Sequence, residues 1–128
     1  MTGRLVGPWN GMSRGPMTPE TTVDELVSNL ATRPMQVVDV REPEEWISGY
    51  IPGSVLMPMG EVQQRYRELD PVLPVVTVCH SGVRSLFSAE ELIAAGFTDV
   101  RSLTGGMIAW VEAGQPTEGS RGDVVMGN

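Results

Sequence analysis

The tightest constraint on this chain is that its β-branched residues fall in short contiguous runs separated by stretches of helical periodicity. Gln36-Val37-Val38-Asp39-Val40 and Val75-Val76-Thr77-Val78 lack the alternation of a half-exposed strand, so each reads as a strand covered on both faces. Ser54 to Met57 and Asp99 to Leu103 read as two more strands. Between them lie helical signals. Thr22 with Glu25 forms a capping-box pattern ahead of Val23, Leu26, Val27 and Leu30 at i, i+3, i+4 and i+7. Pro43 suits the first turn of a short helix through Glu44, Glu45 and Trp46 that Gly49 ends. Met59, Val62, Tyr66 and Leu69 keep helical spacing up to Asp70-Pro71; Ser85 to Ala95 and Met107 to Ala113 are helices closed by Gly96 and Gly114. Strands alternating with helices imply parallel pairing through right-handed crossovers. The expected fold is a three-layer α/β/α sandwich around a mainly parallel sheet of four to five strands.

Length and charge narrow what such a fold can do. The 128 residues carry 9 basic against 16 acidic side chains, a net charge of −7, which disfavours general binding to nucleic acid or anionic membranes. No stretch is apolar enough to span a bilayer, and Met1 to Met17 offers no signal-peptide core, so the expected location is cytoplasmic. The pattern divides the chain into an N-terminal arm (1–17, carrying Trp9), one domain (18–116) and a C-terminal tail (117–128), both ends being expected to be flexible. All basic residues are Arg. Without Lys there is no Schiff base and no Walker-type phosphate lysine. One Cys and one His, Cys79 and His80, cannot make a zinc site or an intrachain disulfide. The methionines at 35, 57, 59 and 107 are read as core residues.

Cys79 stands at the carboxyl end of a predicted parallel strand and just before a helix, where open α/β sheets bind ligands. The segment Cys79-His80-Ser81-Gly82-Val83-Arg84-Ser85 is short, and Gly82 lets its backbone curl so that N–H groups turn inward. Those donors, the helix N-terminus and the Arg84 guanidinium are expected to form a positive pocket that stabilises a thiolate and any anion transferred to it. The alternative, a buried inert thiol, gives no reason for a glycine and an arginine placed after it. His80, adjacent to the nucleophile, is expected to line the pocket or meet solvent rather than to act as a papain-like base.

This loop resembles the active-site loop of rhodanese-like sulfurtransferases. Val38-Asp39-Val40-Arg41-Glu42-Pro43-Glu44-Glu45-Trp46, Gly49-Tyr50-Ile51-Pro52-Gly53-Ser54 and Leu103-Thr104-Gly105-Gly106-Met107 to Trp110 resemble further motifs of that family, in order, across Thr18 to Pro116. The resemblance implies a sulfurtransferase in which Cys79 takes a sulfane sulfur from thiosulfate, a persulfide or a polysulfide. The resulting persulfide passes it to a thiol, cyanide or a sulfur-relay protein, with no metal or organic cofactor. Cys79 and Arg84 carry over as catalytic residues, Arg84 orienting an anionic donor; His80, Ser81, Gly82, Val83 and Ser85 carry over as the substrate cradle. The spacing is Cys-x4-Arg, one residue shorter than the Cys-x5-Arg of related phosphatases and arsenate reductases, which suits a single sulfur better than a tetrahedral oxyanion. A rival reading is a non-catalytic binding module of the same fold.

The other polar residues read as structural. Asp39 and Arg41 are expected to brace loops, Glu42, Glu44 and Glu45 to form a solvated helix start, Trp46 and Trp110 to be core aromatics, and Gly105-Gly106 to allow close backbone approach. Tyr50 stands where the family often has His.

Overall fold

The computed structural model describes residues 18–119. The arm to residue 17, with Trp9, and the tail beyond residue 119 lie outside the described residues. In chain order the elements are β1 (Glu20–Thr21), α1 (Val23–Leu30), β2 (Gln36–Asp39), α2 (Pro43–Trp46), β3 (Val55–Leu56), α3 (Val62–Arg65), β4 (Val75–Val78), α4 (Arg84–Ala94), β5 (Val100–Leu103) and α5 (Gly106–Glu112). The five strands form one sheet in the order β1-β5-β4-β2-β3, and each neighbouring pair is parallel. β1 is the strand that the sequence pattern does not reveal. It is two residues long and pairs only with β5, in register Glu20 to Ser102 and Thr21 to Leu103.

Contiguous Val runs are explained by the two layers they serve. Val38, Val40, Val75 and Cys79 point to one side, packing with Val62, Leu69, Ala89, Leu92 and Phe97 from the α3 and α4 layer. Val37, Val76 and Val78 point to the other, meeting Val23, Leu26, Met107 and Trp110 from α1 and α5. Successive side chains of a strand alternate faces, so a strand covered on both sides is apolar wherever a side chain has no hydrogen-bond partner, and the buried exceptions in these two runs, Asp39 and Thr77, are both hydrogen-bonded. Leu26 and Leu92 are wholly buried, and truncating either to Ala costs about 2–5 kcal/mol by lost burial and cavity formation.

Local signals mostly act as expected. Thr22 caps α1 by accepting the Glu25 N–H at 3.1 Å while Glu25 accepts from the Thr22 N–H at 3.0 Å. Met57 and Met107 are buried in the core, and Met35 and Met59 pack against it. Two local readings need correction. Residues 59–68 are a single α-turn, Val62–Arg65, between two 3-10 turns, Met59–Glu61 and Tyr66–Glu68, rather than one helix. Trp46 belongs to neither apolar cluster among the described residues; it is half-buried, and its indole N–H is buried without a hydrogen-bond partner. Trp110 is a core residue, its indole N–H donating to the Pro116 carbonyl at 2.7 Å. Just past the domain boundary read at residue 116, Glu118 exchanges backbone hydrogen bonds with Tyr50, at 3.0 and 2.9 Å.

Candidate active site

β4 is central in the sheet and ends at Val78, so Cys79 emerges at the carboxyl end of the strand with layers on either side. It is 1% exposed. The chain then turns through residues 80–83 into α4, which starts at Arg84. Gly82 makes the turn: its φ is 101°, and a Cβ there would lie 3.0 Å from the Gly105 nitrogen and 3.3 Å from the Leu103 carbonyl oxygen. Only glycine fits both demands. The curl brings the Gly82 N–H to 3.1 Å from the Cys79 sulfur.

α5 holds the loop from behind. Its Met107 and Ile108 N–H groups donate to the carbonyls of Cys79 and His80 at 2.8 and 3.1 Å. Gly106 makes that contact possible, since its φ is 56° and a Cβ would stand 2.3 Å from the Cys79 carbonyl oxygen. With both carbonyls tied to α5, the N–H groups that follow are free to face the sulfur.

Below the loop runs a chain of buried hydroxyls. Thr77 donates to the Ser85 carbonyl at 2.8 Å, and the Ser85 and Ser102 hydroxyls lie 2.7 Å apart. If Ser102 donates in that pair, the Ser85 proton is left for the sulfur. Burial pushes the Cys79 thiol pKa up, but the Ser85 hydroxyl and the N–H groups of Ser85, Gly82 and Ser81 more than offset this, so the net shift is downward. Ser102 is a candidate site residue that the sequence reading overlooked: it is wholly buried, but the exposed Arg101 beside it makes the strand read as partly polar and leaves Ser102 no local signal.

Arg84 behaves differently from expectation. Its guanidinium makes a two-pronged ion pair with Glu45, Nη1 to Oε2 at 2.7 Å and Nη2 to Oε1 at 2.8 Å. The pair raises the Arg84 pKa and holds the Glu45 carboxyl at about 2. The expected uncompensated cation beside the sulfur is therefore already matched by a carboxylate. Glu45 also accepts from the Glu42 N–H at 3.0 Å, so the residue read as part of a solvated helix start instead joins α2 to the loop. The proline-led helix start two residues earlier was the available signal, because it fixes where the third helical residue points.

Asp39 and Arg41 brace the other side. Both are buried, with Arg41 donating to Asp39 through Nε and Nη2 and to the Glu45 and Gly49 carbonyls at 3.2 and 2.8 Å. Of the remaining predicted residues, Ser85 is buried, Gly82 partly exposed, and His80, Ser81 and Val83 exposed. His80 lines a groove of about 350 Å³ with Arg41, Ser48, Gly49, Met107, Ile108, Val111 and Glu112. Among the described residues no helix is long and apolar enough to cross a membrane.

Known proteins share this arrangement's sequence and fold. The thiosulfate sulfurtransferase GlpE of Shewanella oneidensis is 34% identical over 92 residues, covering 72% of this chain and 91% of that protein. YrkF of Bacillus subtilis is 40% identical over 76 residues, 59% of this chain, but the match spans only 41% of that longer protein. A rhodanese-related protein from Thermoplasma volcanium superposes with a TM-score of 0.73 at 28% identity, over 80% of this chain and 99% of that one. The family model for the rhodanese-like domain matches residues 22–113, from the α1 cap through Cys79 and its loop to the end of α5, and the chain belongs to that family.

Proposed function

We propose that this chain is a sulfurtransferase that carries a sulfane sulfur on Cys79. The observation that supports this most is the cysteine itself. It sits at the end of a central parallel strand, in a loop whose N–H groups and Ser85 hydroxyl favour the thiolate. With thiosulfate as donor, the Cys79 thiolate attacks the outer sulfur, the donor's S–S bond breaks, and sulfite leaves with the electron pair. The product is a Cys79 persulfide anion, whose single negative charge, now on the outer sulfur, falls among the same donors. An acceptor such as cyanide or a thiolate then attacks the outer sulfur, and the Cys79 thiolate leaves and is regenerated. His80, Ser81, Gly82, Val83 and Ser85 form the cradle, and Arg84 holds its shape through Glu45. No second cysteine exists in the chain, so discharge requires another molecule. A reducing compartment such as the cytoplasm is where this lone thiol would stay available.

The test is intact mass after incubation with thiosulfate or inorganic polysulfide. A gain of one sulfur atom, reversed by cyanide with release of thiocyanate and absent in Cys79→Ser, is the expected result. An unchanged mass with either donor would favour a non-catalytic module.

A further inference from the structure

Every arginine among the described residues already has a partner. Arg33 and Arg101 share Asp99, Arg65 pairs with Glu61 and Glu68, and Arg67 lies over the Tyr66 ring. Around Cys79, Arg41 is matched by Asp39 and Arg84 by Glu45. Two carboxylates near the site have no ion pair among the described residues. Glu42 acts electrostatically on the Arg84 guanidinium, and Glu112 lines the groove beside His80. Apart from Arg41, whose charge is matched by Asp39, the rest of that groove is apolar or uncharged: Ser48, Gly49, Met107, Ile108 and Val111. Ile108 and Val111 are 41% and 58% exposed, so an incoming molecule meets them directly.

Resting on the sulfur-carrier reading, we propose that the acceptor is a thiol carried beside positive charge, and that Glu112 is a specificity-determining residue selecting it. The acceptor thiolate must approach a persulfide anion, and the unmatched Glu112 carboxylate in the groove, with Glu42 near Arg84, adds to that repulsion for an anionic carrier. A cationic group beside the thiol reverses the sign. The apolar groove accepts the carrier's methylene portion, and the fixed N–H cradle stabilises the reacting sulfurs whichever carrier arrives. A protein cysteine flanked by Lys or Arg meets this description; an acidic thiol does not.

Full-length protein is loaded with inorganic polysulfide, freed of excess reagent, checked by mass for one added sulfur, and mixed with cysteamine, 2-mercaptoethanol or 3-mercaptopropionate. These probes differ mainly in charge, and rates are expressed per thiolate. At low ionic strength cysteamine should discharge the persulfide roughly tenfold faster than 3-mercaptopropionate, the neutral thiol falling between; salt should compress the spread. Glu112→Gln should narrow the spread without altering loading. Equal rates for the three thiols on loaded protein, or a faster anion, would overturn this inference and leave the carrier reading standing. A spread that Glu112→Gln leaves intact would overturn the role of Glu112. Failure to load at all would overturn the carrier reading, and this inference with it.

Discussion

Two arginine–carboxylate pairs flank Cys79, and they differ in one respect. The Arg41 and Asp39 side chains are 4% and 1% exposed, whereas those of Arg84 and Glu45 are 33% and 30% exposed. Both have good geometry. Arg41 also donates to two backbone carbonyls, so the buried pair is tied into a network holding the turn after α2. The half-exposed pair joins a side chain on α2 to one on α4, and water can replace either partner. Burial thus separates a structural brace from an adjustable electrostatic element, although the two look alike in sequence.

The largest expected effect follows from breaking the buried pair. Arg41→Ala leaves the Asp39 carboxylate and the Gly49 carbonyl buried without their partner, and should cost about 3–5 kcal/mol in urea unfolding. A loss below about 1 kcal/mol would erase the distinction between the two pairs.

Breaking the exposed pair should alter chemistry more than stability. Glu45→Gln removes the charge that matches Arg84 and leaves a guanidinium free beside the sulfur. The kcat/KM for thiosulfate, relative to a neutral persulfide donor, should rise roughly threefold to tenfold. An unchanged donor ratio would mean that Arg84 serves only to shape the loop.

Acid tests the exposed pair by itself. Glu45 titrates at about 2 in the folded protein against an ordinary 4.5, so its contribution to stability is complete above 4.5 and is lost as pH falls from there towards 2. The stability difference between the native chain and Glu45→Gln should be flat above pH 5 and shrink through that window. A difference that persisted unchanged down to pH 2 would contradict the assigned cause.

The smallest effect is expected at Ser102. Ser102→Ala removes the hydroxyl whose donation leaves the Ser85 proton for the sulfur, and should raise the Cys79 titration midpoint slightly. The alkylation rate of Cys79 as a function of pH measures it, and a shift of a full unit or more would make the hydroxyl chain dominant over the N–H groups.

What could be read in the sequence follows the range of the interactions. The β2 and β4 runs, the Thr22 cap and the Gly82 turn were legible because each depends on neighbours within a few residues. β1 was not, since its two residues acquire strand geometry only by pairing with Ser102 and Leu103. Cys79 and its loop were contiguous and therefore visible. The Arg84 partner lies 39 residues away and the Ser85 partner 17, so neither the matched charge nor the hydroxyl chain had a local signature. Arg84 was read as a free cation for that reason.

We propose that the backbone cradle and the Ser85 hydroxyl, rather than the charge of Arg84, activate Cys79. Because the chain has one cysteine, its rate of alkylation by iodoacetamide as a function of pH reports that sulfur alone. The account predicts a midpoint below the ~8.5 of a free thiol, retained in Arg84→Gln. A midpoint at or above the free value in the native chain, or one that returned to it in Arg84→Gln, would contradict the account.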